Sequence, residues 1–155
     1  RDIKSQRRGS NVISHQPPRS GLAGTSLAKT NHWMIGPLVM CVSVLALLFG
    51  MLAGIAMGIQ HGFTLGPAHA HLNLVGGVLL FLFGLYYRLM TAAGRMLLAR
   101  IQGWLHIIGG ILFPAGVAAV LLKGPSFVAA PIVGPLMVAV AMALFTVIVF
   151  RTSRA

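Results

Sequence analysis

The sequence predicts an all-α membrane protein, a bundle of four transmembrane helices with both termini in the cytoplasm. Of the 155 residues, 57% are hydrophobic and only 8% are charged, whereas soluble domains have about 25% charged residues. The mean hydropathy is +0.87. Four apolar stretches also exceed the roughly 18 residues that span a hydrocarbon core.

The four predicted spans are 34–59, 68–90, 101–122 and 127–150. Each is bounded by polar, basic, proline or glycine residues, and none contains an acidic residue. Together they form one domain, 31–155. In the first span Gly50, Gly54 and Gly58 recur every four residues, which favours close helix packing. Pro114 predicts a local bend in the third span.

The distribution of Lys and Arg predicts the topology. Six of the 12 precede residue 31, none lies in the 60–67 loop, three lie between Arg88 and Arg100, one is Lys123, and two follow residue 150. Because basic residues favour the cytoplasmic side, both termini and the middle loop are predicted there. The loops 60–67 and 123–126 then face outward.

The N-terminal tail, 1–30, is rich in Arg, Ser, Gly and Pro and contains the single acidic residue, Asp2. Such a segment is expected to be disordered alone or ordered by a partner, and its composition also matches an organellar presequence. The positive-inside rule and attraction to anionic lipid together explain why the chain is basic, with a net charge of +11. The expected partners are the lipid bilayer and other membrane subunits or further copies of the chain, not nucleic acid.

The polar residues exclude several kinds of chemistry. One acidic residue in the chain rules out paired-carboxylate catalysis within it. The lone Cys41 rules out an intrachain disulfide and thiolate clusters. Autonomous catalysis is therefore not expected, and histidine is the remaining chemical group.

His69, His71 and Asn73 lie at the predicted outer end of the second span, close to His61 in the preceding loop. At 100° per residue His69 and His71 point about 200° apart. His69 shares its face with Asn73 and with a nearly bare surface on which a macrocycle or another helix could lie, made of Gly76, Gly77, Leu80 and Gly84.

Three interpretations of these histidines stay open: haem binding, a copper or zinc site made by His61, His69 and His71, and a purely structural role with no cofactor. The buried alternative, His106, is predicted about 19 Å from His71 along the membrane normal. That separation excludes His71 and His106 as two ligands of one metal.

The segment "HAHLNLVGGVLLFLFGLYYRL", with a weaker echo in "WLHIIGG", resembles the second helix of haem-copper oxidase catalytic subunits. It is most similar to the nitric oxide reductase type. The resemblance implies that one histidine is an axial ligand of a haem b. The spacing to Asn73 selects His71, whereas the distance to Tyr86 and Tyr87 selects His69. Those subunits have many more spans, so the chain resembles a fragment of the fold, and the second ligand would come from a partner or from His61.

Two functions follow as hypotheses. The first is a small haem b or copper protein for electron transfer or gas binding. The alternative is a non-catalytic accessory or assembly subunit of a respiratory or photosynthetic membrane complex. The expected location is the bacterial inner membrane or, alternatively, an organellar inner membrane.

Overall fold

The computed structural model describes residues 35–154, so the predictions for the tail 1–30 lie outside the described residues. Within that range four helices are long and apolar enough to cross a membrane: α1 (Ile35–Gln60), α2 (Gly66–Leu89), α3 (Leu97–Lys123) and α4 (Ala129–Thr152). A short helical turn, Thr91–Gly94, joins α2 to α3, and a 3₁₀ turn, Pro125–Phe127, joins α3 to α4. Residues 35–154 contain no strand. The predicted fold class, an all-α four-helix bundle, is confirmed.

The helix ends follow local chemistry. Pro67 lies in the first turn of α2, where a missing N–H costs no hydrogen bond, and this moves the start of α2 to Gly66. α3 begins at Leu97, earlier than predicted, after Met96 in an extended conformation. Gly124 ends α3 with φ of 89°, a left-handed value that only glycine adopts without strain.

Helix α2 contains an irregular segment. Pro114 lies inside α3, which is helical from Leu97 to Lys123, and the bend at Pro114 stays a prediction. In α2 the residues Leu72–Leu79 form a π-helix, in which hydrogen bonds skip an additional residue. The sequence did not predict this segment.

Helix α1 covers the glycine-lined face of α2. A Cβ at Gly84 would lie 3.0 Å from the carbonyl oxygen of Gly36, and the side chain of Leu47 lies directly against Gly77. Gly76 faces α3 instead, where a Cβ would lie 3.2 Å from the carbonyl oxygen of Gly110. The sequence left open whether a macrocycle or another helix lies on this bare surface. In the structure, helices α1 and α3 lie on it.

The buried apolar core lies toward the end of the bundle that carries the Arg88–Arg100 loop. Its largest members are Leu80, Phe83, Tyr87 and Ile148, all at most 1% exposed. They come from the ends of α2 and α4 that meet there. At the opposite end of α1, no residue beyond Gly50 is buried. Toward the predicted outer end, where the histidines lie, α1 is therefore the least buried helix, whereas α3 and α4 remain in close contact there at Gly116 and Gly134.

Candidate functional site

His69 is held in place by a glycine on the neighbouring helix. Its ring packs on Gly54 of α1, where a Cβ would lie 2.8 Å from Cε1 and 3.2 Å from Nε2. One turn along each helix, the amide of Asn73 lies against Gly50 in the same way. At Gly58, the third glycine of the predicted stripe, no atom of the described residues lies within 4 Å of the Cβ position. Two of the three glycines thus make room for the polar pair His69 and Asn73.

Asn73 orients the His69 ring. Its Nδ2 lies 3.3 Å from Nδ1 and 3.1 Å from Nε2, and it donates to the backbone oxygen of His69 at 3.2 Å. A nitrogen at both ring distances in the plane of the ring would overlap Cε1, so the amide lies over the ring face. Asn73 therefore fixes the ring without occupying either in-plane position at its nitrogens.

His69 lines a cleft between α1, α2 and α3, which we call the His69 cleft. Its volume is 600 Å³. Besides His69, its only strongly polar side chain is that of Gln60; the other lining residues are apolar: Phe49, Ala53, Ala56, Met57, Leu65, Ala68, Leu72, Ile111, Pro114, Ala115 and Ala118. A second cleft of 240 Å³ shares Phe49, Leu72 and Ile111 with it and extends toward Leu80. Together they form an apolar space with one imidazole at its edge.

His71 lies against a different helix. Its Nδ1 is 2.6 Å from the carbonyl oxygen of Pro67, and because a carbonyl only accepts, Nδ1 carries the proton. The ring packs on Phe113 of α3 with centroids 4.2 Å apart. His71 lines neither cleft. The two neighbouring histidines therefore point to different helices, as expected for residues about 200° apart on a helix.

His61 is exposed in the loop after α1, with Nδ1 3.2 Å from the carbonyl oxygen of Ile59. The structure brings His69 and Asn73 together, but His61, His69 and His71 each contact separate partners. Across residues 35–154 no three His, Cys, Asp or Glu side chains gather as a group that could hold a metal ion.

His106 is fully buried in α3. Its Nε2 lies 3.1 Å from the carbonyl oxygen of Val75, and its ring meets Phe83 edge-on at 4.8 Å. Val75 is one turn from His71, so the predicted separation of about 19 Å is too large. The estimate assumed that the midpoints of the two spans lie at the same depth, whereas the structure places His106 beside Val75.

No family model, curated protein or solved structure matches the chain. The side chains of the site themselves indicate which chemistry it can support. The His69 cleft offers an imidazole from His69, a thioether from Met57 and an amide from Gln60. Since Asp2 is the single acidic residue of the chain, the described residues supply no carboxylate. This donor set suits ligation or hydrogen bonding of a large apolar ligand rather than acid–base catalysis.

The sequence did not predict the burial of three polar residues. Ser43 donates to the carbonyl oxygen of Gly77 at 2.9 Å, and the Tyr87 hydroxyl donates to Oε1 of Gln102 at 2.8 Å. Gln102 stands four residues before His106 in an otherwise apolar span. That spacing places both on one helix face, and it was the available signal that this face is buried against protein.

Proposed function

We propose that this membrane protein binds haem b in the His69 cleft, with His69 as an iron ligand, and serves in electron transfer or in binding a diatomic gas. The observation that carries the proposal is that His69, alone among the histidines of residues 35–154, lines a large apolar cleft. Its 600 Å³ falls within the roughly 300–1,000 Å³ of ligand pockets. The resemblance to the oxidase second helix is a separate support.

The side chains present are compatible with the group. Imidazole and thioether sulfur are both axial ligands of haem iron in cytochromes, and His69 and Met57 line the same cleft from α2 and α1. Asn73 holds the His69 ring by contacts over its face and leaves the in-plane nitrogen positions available. His69 and Met57 would therefore hold the iron.

Haem and the protein would contribute different parts of the function. Bound haem supplies one-electron redox chemistry and an affinity for small gases. The protein binds the macrocycle through its apolar walls, orients His69 through Asn73 and Gly54, and excludes water. A one-electron carrier needs a donor and an acceptor, so the proposal includes a redox partner in the same membrane, a bacterial inner membrane or, alternatively, an organellar one.

The test is a haem titration of the full chain in lipid nanodiscs, followed by absorbance. We expect a saturating Soret band at one haem per chain. His69→Ala should weaken binding by about tenfold or more, equivalent to about 1.4 kcal/mol. His71→Ala is the matched control and should leave the affinity unchanged. Met57→Leu should alter the near-infrared band of the ferric form, which reports an axial sulfur.

Three results would overturn this proposal. They are the absence of a Soret band in the wild-type chain, equal losses in His69→Ala and His71→Ala, or copper at one ion per chain in haem-free preparations that His69→Ala removes.

The alternative function, an accessory or assembly subunit, is favoured by one observation on α1. Among residues 35–154 nothing lies within 4 Å of the Cβ position of Gly58, so under this hypothesis that part of the helix surface receives a helix of another subunit. Under this hypothesis Gly58→Leu leaves the isolated bundle stable and reduces co-purification of a partner from native membranes, whereas His69→Ala leaves assembly intact. Retained co-purification in Gly58→Leu would count against it. Gly54 is a poor test position, because His69 packs on it.

A further inference from the structure

Two buried polar side chains lie one turn apart on the same face of α3. Gln102 and His106 are both 0% exposed. Nε2 of Gln102 and Nδ1 of His106 have no hydrogen-bond partner among the protein atoms of the described residues. Unpaired polar groups are costly in an apolar interior, and two of them at neighbouring positions on one face call for a common explanation.

The bonds that these side chains do make assign the role of each unpaired atom. His106 Nε2 faces the Val75 carbonyl oxygen, which only accepts, so Nε2 carries the proton and Nδ1 presents a lone pair. The Tyr87 hydroxyl donates to Gln102 Oε1, which leaves the amide Nε2 as the donor on the other side. The pair thus consists of one free donor and one free acceptor.

The spacing of the pair limits what can lie between them. Side chains at positions i and i+4 of a helix have Cβ atoms about 5–6 Å apart. A cation is disfavoured by the amide N–H, and an anion by the imidazole lone pair. A small neutral molecule that both accepts and donates satisfies both atoms at once.

We propose that a single water molecule binds between Gln102 and His106, accepting from the Gln102 amide and donating to His106 Nδ1. Buried waters in proteins typically satisfy such otherwise unpaired groups. The water would complete a hydrogen-bonded chain from Tyr87 through Gln102 and His106 to Val75. Both ends of this chain lie on α2 and its middle lies on α3, so it ties the two helices together.

The site also gives the π-helical segment a role. Val75 lies within Leu72–Leu79, and π-helical turns are frequent where a helix serves a specific site. The Val75 carbonyl oxygen is the acceptor that keeps the proton of His106 on Nε2. In this arrangement Nδ1 faces the water as an acceptor.

The test is solid-state NMR of the full chain in lipid nanodiscs, with ¹⁵N-labelled histidine and glutamine. The His106 signals are identified by their loss in His106→Phe. We expect Nδ1 of His106 to appear as an unprotonated, hydrogen-bonded nitrogen that receives magnetisation from a water proton. In Gln102→Leu this water transfer should be lost, while the control Ser43→Ala should keep it.

Once the His106 signals are assigned, the wild-type spectrum decides the proposal even if Gln102→Leu fails to fold. Magnetisation reaching Nδ1 from a Gln102 amide proton, with none from water, would establish a direct hydrogen bond and overturn the water site. A proton covalently bound to Nδ1 would overturn it as well, and so would an Nδ1 that contacts neither water nor Gln102.

Discussion

Replacing Gly134 with alanine tests how closely α3 and α4 approach. A Cβ at Gly134 would lie 2.6 Å from both Cα and N of Phe113. These are backbone atoms, so the overlap is relieved only if the two helices separate. Gly58→Ala is the control, because a Cβ at Gly58, in the last turn of α1, meets no atom of the described residues within 4 Å.

The magnitude follows from two opposing effects. Overpacking in a close contact costs about 1–3 kcal/mol, while Gly→Ala within a helix gains up to about 1 kcal/mol from propensity. The propensity gain is no larger for Gly58, in the last turn of α1, than for Gly134 inside α4, so a lower stability of Gly134→Ala reports the contact. We expect Gly134→Ala to be less stable than Gly58→Ala by about 1–3 kcal/mol.

The assay is reversible unfolding in mixed micelles, followed by circular dichroism. A second readout is local: the Phe113 ring packs against His71 at 4.2 Å, so displacement of α3 at Phe113 should also change the ¹⁵N shifts of His71. If Gly134→Ala is as stable as Gly58→Ala, the close approach of α3 and α4 at this position is refuted.

Three further predictions concern buried hydrogen bonds and topology. Tyr87→Phe and Gln102→Leu, combined in a double-mutant cycle by the same unfolding assay, should show a coupling of about 0.6–1.7 kcal/mol, because one hydrogen bond joins them. Ser43→Ala should destabilise the bundle by about 0.6 kcal/mol, because its bond to the Gly77 carbonyl oxygen is lost. In a chain with Cys41 replaced, a cysteine in the 60–67 loop should react with an impermeant maleimide from outside, and one at Arg95 only from the cytoplasmic side.

Each of these has a contradicting result. Strictly additive effects in the cycle would mean that the Tyr87–Gln102 bond contributes nothing. A Ser43→Ala variant that is more stable than wild type would mean that the Gly77 carbonyl oxygen needs no side-chain donor. Labelling of both loop cysteines from one side would refute the predicted four-span topology.

The four spans and most of their ends can be predicted from the sequence alone. Hydropathy over some 20 residues is a local property of the chain, and bilayer thickness converts it directly into a helix. Helix ends are also local where one residue dictates the backbone, as Gly124 does with φ of 89°. The predicted start of α3 was a few residues late, because the helix continues through Arg100 into the apolar residues Leu97, Leu98 and Ala99.

The packing of the helices sets which neighbour each histidine contacts. Helical periodicity places His69 and His71 on separate faces, but it does not say which neighbour lies on each face. That depends on where distant glycines allow close approach: Gly54 receives His69, while Phe113 meets His71. The apolar cleft beside His69 lies where the end of α1 that has no buried residue beyond Gly50 faces α2 and α3, a consequence of three helices packing together that no single span encodes.

The same reason explains the π-helical segment and the buried pair on α3. A π-turn in Leu72–Leu79 and the bond from His106 to Val75 depend on contacts between residues about 30 positions apart. The sequence alone therefore predicts a four-helix membrane protein with histidines at one predicted end. Only the packing of its helices placed His69 at a cleft, His71 against α3, and His106 beside Gln102 in the interior.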